Sequence, residues 1–206
     1  MTVTIAEELL LLALGEDKGK LLINAATLDL ALSGGILAEL ALAGRVTKDG
    51  KKLAVAVPDP VGDQELDAAL ERIANDKART PEWWVRKLQT SDLRDRLLTR
   101  LANTGVLARE RTKALGIFTI TRWPELNSAV EAEIRERVAA VLTGATPDTR
   151  TTALIALAKA AGLDRKAFPD AGKARVKELA KGDWVADAVT RAIANMNAAV
   201  VVTTVT

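Results

Sequence analysis

An unbroken apolar run, Leu9-Leu10-Leu11-Leu12-Ala13-Leu14, is the strongest constraint this sequence places on its own fold. Thr4 and Glu7 precede it in the spacing of a capping box and Gly15 follows it, so it reads as a short helix with apolar side chains all round. Such a helix must be wrapped by other elements. The run is too short for a membrane span or signal core, and Glu7 and Glu8 stand where a signal peptide would be basic, so a cytoplasmic protein is expected.

The wrapping elements are mostly helical. Asn24 or Thr27 can cap a second helix through Leu28, Leu32, Ile36, Leu37 and Leu40 to Gly44, with Gly34 and Gly35 inside it. Two mid-helix glycines cost roughly 1 kcal/mol each, so they mark either a close backbone approach or a break between two shorter helices, and the break is the expectation. Asp49-Gly50 predicts a hairpin between Val46–Lys48 and Lys51–Val57. A short amphipathic helix follows from about Asp63 to Asn75, and Thr80-Pro81 opens another that bears Trp83 and Trp84. Of these two tryptophans one belongs to the core, and the other packs under a loop or anchors at an interface.

Beyond an Arg-rich helix at Leu93–Asn103, Val106-Leu107 and a β run at Leu115–Thr121 predict a second hairpin joined by the charged stretch Arg109–Lys113. Helical periodicity then continues through Val130–Leu142, Leu154–Ala158, Val176–Leu179 and, capped by Asp183, Trp184–Met196. The uncharged tail Ala198–Thr206 reads as an ordered end packed on the core. The expected architecture is mainly α: residues 1–206 as one domain of eight or nine helices, with a projecting β-hairpin and a second small one.

Composition narrows the chemistry. There is no cysteine and no histidine, which removes thiolate metal sites, disulfides and the commonest general base, and no cofactor or metal is expected. Serine occurs only at Ser33, Ser91 and Ser128, none in a nucleophile elbow, so the protein is not expected to be an enzyme. A net charge of +2 leaves polyanion recognition to a local patch.

That patch lies between Arg86 and Trp123, where the only acids are Asp92, Asp95 and Glu110. On the helical wheel Leu93, Leu97, Leu98 and Leu101 form the apolar arc, with Arg96 and Arg100 outside it and Arg94 between Leu101 and Leu98. Asp92 is placed to pair with Arg96, whereas Arg94 has only Thr90, Ser91, Leu97 and Leu98 at helical spacing. Arg94 therefore needs an anion from elsewhere, either a distant carboxylate or a ligand such as phosphate.

Several stretches together resemble the Golgi phosphoprotein 3 family: Glu7–Leu14, Gly35–Arg45, Gly62-Asp63 with Leu66-Asp67 and Ala69-Leu70, and Leu93-Arg94-Asp95-Arg96-Leu97 running into Gly105-Val106-Leu107. The resemblance covers residues 4 to about 200. It implies a helical domain with a projecting hairpin, sitting peripherally on membranes and recognising phosphatidylinositol 4-phosphate through a basic pocket. The family's pocket tryptophan falls at Asn24, its second-helix arginine at Ser33 and its arginine pair at Ser91 and Arg94, of which only Arg94 keeps the family residue. Arg96, Arg100, Lys18 and Lys20 are candidates to supply the missing charge. Leu115, Ile117 and Phe118 match the family's exposed apolar hairpin residues, as a membrane or subunit contact. The basic amino-terminal extension of eukaryotic members has no counterpart here, so vesicle-coat and Golgi functions are not expected to carry over.

The expected partners are anionic membrane lipid, the cytoplasmic tails of membrane proteins, and a second copy of the chain. Two other readings stand beside this one. Helix, glycine turn and hairpin could form a winged-helix DNA binder with the arginines on phosphates, against which the apolar hairpin and small net charge weigh, so nucleic acid is not expected. Alternatively the basic face is only solvated and the hairpin is an oligomer contact.

Overall fold

A computed structural model describes residues 3–15, 20–90, 92–114 and 118–203. Helix α1 (Ile5–Ala13) carries the apolar run, and all nine of its residues are buried. The capping box is present as read: the Glu7 backbone N–H donates to the Thr4 side chain while the Glu7 carboxylate accepts from the Thr4 backbone N–H.

Helix α2 (Ala25–Leu42) lies against α1 and runs unbroken through Gly34 and Gly35. The expected break is absent because these glycines serve close packing. A Cβ on Gly35 would sit 2.8 Å from the Ala6 Cα, and one on Gly34 would sit 2.4 Å from Val189 Cγ2. By length and composition α2 is apolar enough to cross a membrane. It instead forms the middle of the core, packed by α1, α3 (Gln64–Ala74), α4 (Pro81–Leu88), α5 (Leu93–Asn103), α7 (Thr149–Ala160) and α10 (Trp184–Thr203).

The first hairpin pairs β1 (Val46–Asp49) with β2 (Lys52–Val55), Asp49 opposite Lys52. Gly50, at φ +55°, and Lys51 therefore form the turn, one residue later than Asp49-Gly50 suggested. In the second hairpin the charged stretch is itself a strand, β3 (Glu110–Ala114), paired with β4 (Phe118–Arg122) from Glu110–Arg122 to Ala114–Phe118. Val106 and Leu107, expected as the first arm, are buried at its base, where Leu107 bridges Glu125 and the Ala108 N–H donates to the Pro124 carbonyl. Among the described residues, the extensive contacts of β3 and β4 are with each other rather than with the helices.

Around the centre lie α6 (Ser128–Leu142), the short α8 (Asp164–Ala167) and α9 (Lys173–Leu179), giving ten helices among the described residues, more than expected. Asp183 donates no helix residue but caps α10, accepting from the Val185 and Ala186 N–H groups. The tail continues α10 as far as Thr203. One cluster of buried side chains runs from Val3 to Ala192. The protein is mainly α, with two small antiparallel hairpins and no closed sheet among the described residues.

Candidate functional site

The Arg-rich helix α5 turns its arginines onto carboxylates. Arg94 reaches the first turns of α2, where its Nη1 donates to Asp29 Oδ1 at 2.9 Å and to the Ala25 carbonyl at 3.4 Å. The anion that its position on the apolar arc called for is thus a carboxylate of the chain itself. Asp29 is the only acid in the first half of α2, and an isolated charge on so apolar a helix was a usable sign that it needed a partner. Burial pushes the Asp29 carboxyl above its ordinary range, with Asp95 adding to the rise and the Arg94 charge opposing it.

The family positions converge on this place unevenly. Asn24 is the N-cap of α2, its Oδ1 accepting from the Ala26 and Thr27 N–H groups, so it stands beside the Arg94 contact. Ser33 is fully buried and its hydroxyl donates to the Asp29 carbonyl at 3.0 Å, so it faces the core and reaches no surface ligand. Ser91, Leu115, Ile117 and Lys18 lie outside the described residues, while Phe118 opens β4 in register with Ala114.

Arg96 and Arg100 supply little free charge. Arg96 takes Glu65 with two hydrogen bonds, Nε to Oε1 at 2.6 Å and Nη2 to Oε2 at 2.9 Å, rather than relying on Asp92 as the helical spacing suggested. The Glu65 hydrogen bond holds the Arg96 cation above its usual range, and the Asp92 charge adds to that. Arg100, expected outside the apolar arc, points inward and bridges Glu7 and Asp63, both at 2.6 Å. Between α3 and α5 lies a cavity of about 340 Å³ lined by Gln64, Glu65, Asp92, Asp95, Arg96 and Arg100 among others. Its carboxylates outnumber its guanidinium groups, which is the wrong polarity for a phosphate. With Arg96 and Arg100 engaged by carboxylates, a row of arginines along α5 for a DNA backbone is not formed either.

Glu7 and Glu8, only 2 % and 3 % exposed, anchor the larger network that local sequence spacing missed. Arg137 of α6 holds Glu8 at 2.7 Å, and Arg150 of α7 bridges Glu8 at 3.1 Å and Glu39 of α2 at 2.7 Å. The other Glu39 oxygen accepts from the Ile5 N–H at 2.8 Å. Two buried acids in an otherwise apolar helix are stable only because three helices, α5, α6 and α7, deliver cations to them and the Thr4 cap adds donors to Glu7. No group of residues that could hold a metal occurs among the described residues.

The family model for Golgi phosphoprotein 3 (GPP34) matches residues 5–196. The chain belongs to the Golgi phosphoprotein 3 family. Similar curated proteins include two called vacuolar protein sorting-associated protein 74. The one from Schizosaccharomyces pombe is 28 % identical over 163 residues, covering 68 % of this chain and 48 % of the relative. The one from Eremothecium gossypii is 28 % identical over 223 residues, covering 86 % of this chain and 67 % of the relative. The chain thus spans about half the length of the first relative. The family match takes in α1, the whole of α2 and the arginine helix α5, the segments on which the resemblance rested.

Proposed function

We propose that the protein is a peripheral membrane adaptor without catalytic turnover, which meets anionic lipid headgroups at the amino-terminal end of α2 and engages the cytoplasmic tails of membrane proteins. Family membership supports an adaptor, as do relatives named for vacuolar protein sorting. The observation that carries the lipid reading is the state of Arg94. Both of its hydrogen bonds use Nη1, so Nε and Nη2 make no hydrogen bond to any described residue, and the side chain remains 23 % exposed. That free edge is the fork geometry a phosphate accepts, and it sits by a helix N-terminus, where the macrodipole favours negative charge. The family's phosphatidylinositol 4-phosphate is the headgroup to test first. Since Asn24 and Ser33 replace its pocket tryptophan and arginine, the affinity expected here is low and dependent on lipid charge density. The projecting second hairpin provides the accompanying membrane or subunit contact.

Vesicle co-sedimentation across lipids of graded charge, with duplex DNA as competitor, tests this reading. Arg94→Ala should weaken binding by roughly tenfold or more, the loss of one charge-assisted contact worth about 1.5–3 kcal/mol, while Arg96→Ala should leave it unchanged. Binding that ignores lipid charge would dismiss the proposal.

A further inference from the structure

The cations of this protein fall into two sets. Every arginine of α5, α6 and α7 holds a carboxylate. By contrast Lys48, Lys52, Arg79, Arg86 and Lys87 are exposed and form no ion pair among the described residues.

Tertiary contacts bring Lys52, which stands opposite Asp49, together with Arg79, Arg86 and Lys87, while Lys48, opposite Leu53, lies on the other side of the same hairpin tip. The Leu53 N–H donates to the Arg79 carbonyl at 2.7 Å, which lays the segment before α4 alongside β2 and its neighbour Lys52. The Arg79 guanidinium lies 5.2 Å from the centroid of the Trp83 ring, and Lys87 Nζ lies 5.7 Å from the same centroid. Arg72 donates to the Lys87 carbonyl at 3.3 Å, adding a further cation at the edge. Arg86 and Lys87, three and four residues past Trp83, share its side of α4. The nearest acid on α4 is drawn off: Glu82 faces α10, accepting from Asn195 at 2.6 Å and pairing with Arg191 at 3.6 Å. Asp49, Glu71 and Asp76 are the remaining carboxylates of these segments.

Cations in the last turn of a helix favour its carbonyl end, and that alone accounts for Arg86 and Lys87. It does not account for the hairpin lysines, for Arg79 ahead of the helix, or for a tryptophan left half in water between two cations. Trp84 is sunk in the core at 1 % exposure and braces Trp83 edge to face, with ring centroids 4.8 Å apart, so the half-exposed ring is held at the surface.

We propose that this face, the tip of the first hairpin together with the outer side of α4 around Trp83, lies on an anionic bilayer surface. The inference rests on the adaptor reading and adds a contact separate from Arg94. The chemistry favours a bilayer over a single bound anion. Lysines on a short hairpin are hydrated point charges suited to a diffuse field, whereas one phosphate would call for a converging fork. An indole with apolar body and polar N–H is suited to the headgroup level, where neighbouring cations can leave its ring for lipid phosphates.

The test uses the full chain and vesicles of phosphatidylcholine, with and without phosphatidylserine. A cation near such a surface contributes about fivefold to binding, so Lys48→Gln/Lys52→Gln/Lys87→Gln should bind charged vesicles roughly a hundredfold more weakly. These three side chains are exposed, so folding is not at stake, and Arg94→Ala is measured in parallel. Trp83→Phe should lose most of the blue shift in tryptophan emission that charged vesicles produce in the parent. If the triple variant binds like the parent while Arg94→Ala does not, this face is not the contact and the adaptor reading survives. A parent protein indifferent to phosphatidylserine overturns both.

Discussion

Asp29 and Arg94 stand sixty-five residues apart in sequence, yet Oδ1 of the one accepts from Nη1 of the other at 2.9 Å, in the first turns of α2. The pair gives the site a resident anion. On the proposed function, a lipid phosphate would have to compete with Asp29 for a guanidinium that is half engaged.

The pH dependence of this pair follows from its surroundings. Burial raises the Asp29 carboxyl above its reference value of 3.8, so its charge opposes folding at neutral pH, and that opposition fades as pH falls towards the raised value and a proton is taken up. Arg94→Ala removes the opposing influence and should lower stability at pH 7 by about 1–3 kcal/mol, since the pair is only partly buried. The loss should shrink in mild acid. Urea midpoints at the two pH values decide; an equal loss at both would mean that Arg94 acts through packing alone.

Asp148 behaves with the opposite sign. Burial pushes its carboxyl up, but the Thr151 hydroxyl and backbone N–H and the charge of Arg137 prevail and hold it below 3.8. Its contribution is therefore complete above the unfolded value and lost as pH falls through the lowered folded one. Asp148→Ala should cost about 1 kcal/mol at neutral pH as a lost N-cap, with the charged share small at this exposed site. Thermal or urea unfolding should find parent and variant converging below pH ~4.

Arg150 and Arg96 provide a contrast between a buried and an exposed ion pair. Arg150→Met leaves Glu8, only 3 % exposed, with Arg137 alone and removes a partner of Glu39, so it should destabilise by about 3–5 kcal/mol. The Arg96 side chain is 45 % exposed, and Arg96→Ala should cost about 0–1 kcal/mol despite its two-pronged bond to Glu65. Comparable losses in urea melts would contradict this account.

How legible such features were depended on the distance their cause acts over. The caps at Thr4, Asn24, Thr80 and Asp183 are local, a side-chain oxygen meeting N–H groups within three residues, and their residue types announced them. The capping box placed Glu7 and nothing local marked Glu8 as buried, while their cations arrive from Arg100, Arg137 and Arg150, 93 to 142 residues away. Arg96 shows the same reach: helical spacing offered Asp92, whose charge does act on it, and the tertiary fold added a hydrogen-bonding partner, Glu65 of α3. The resemblance assigned Arg94 a pocket role without naming its neighbours, and the anion Asp29 that sits on Arg94 could be placed there only by the packing of α2 on α5.

The two α2 glycines give a last measurable difference. Gly35→Ala drives a Cβ against the Ala6 backbone at 2.8 Å, which can yield only by moving α1 off α2, so a loss of about 1–3 kcal/mol is expected. Gly34→Ala meets side chains, Val189 Cγ2 at 2.4 Å and Leu157 Cδ2 at 2.9 Å, which can turn aside. Its loss should be the smaller in urea midpoints, helped by alanine's better helix propensity. The reverse order would show that the α2–α10 contact, rather than α1–α2, is the rigid one.

Because Glu8 is neutralised from α6 and α7, a ribosome that has made the chain only as far as α5 holds a helix it cannot finish burying. Its leucines can already pack on α2, but a carboxylate carried into that interface has no cation until residues 137 and 150 emerge. Helix α1 is thereby expected to settle only after α6 and α7 have been made, and nascent chains cut off before α7 should expose α1 to protease or chaperone.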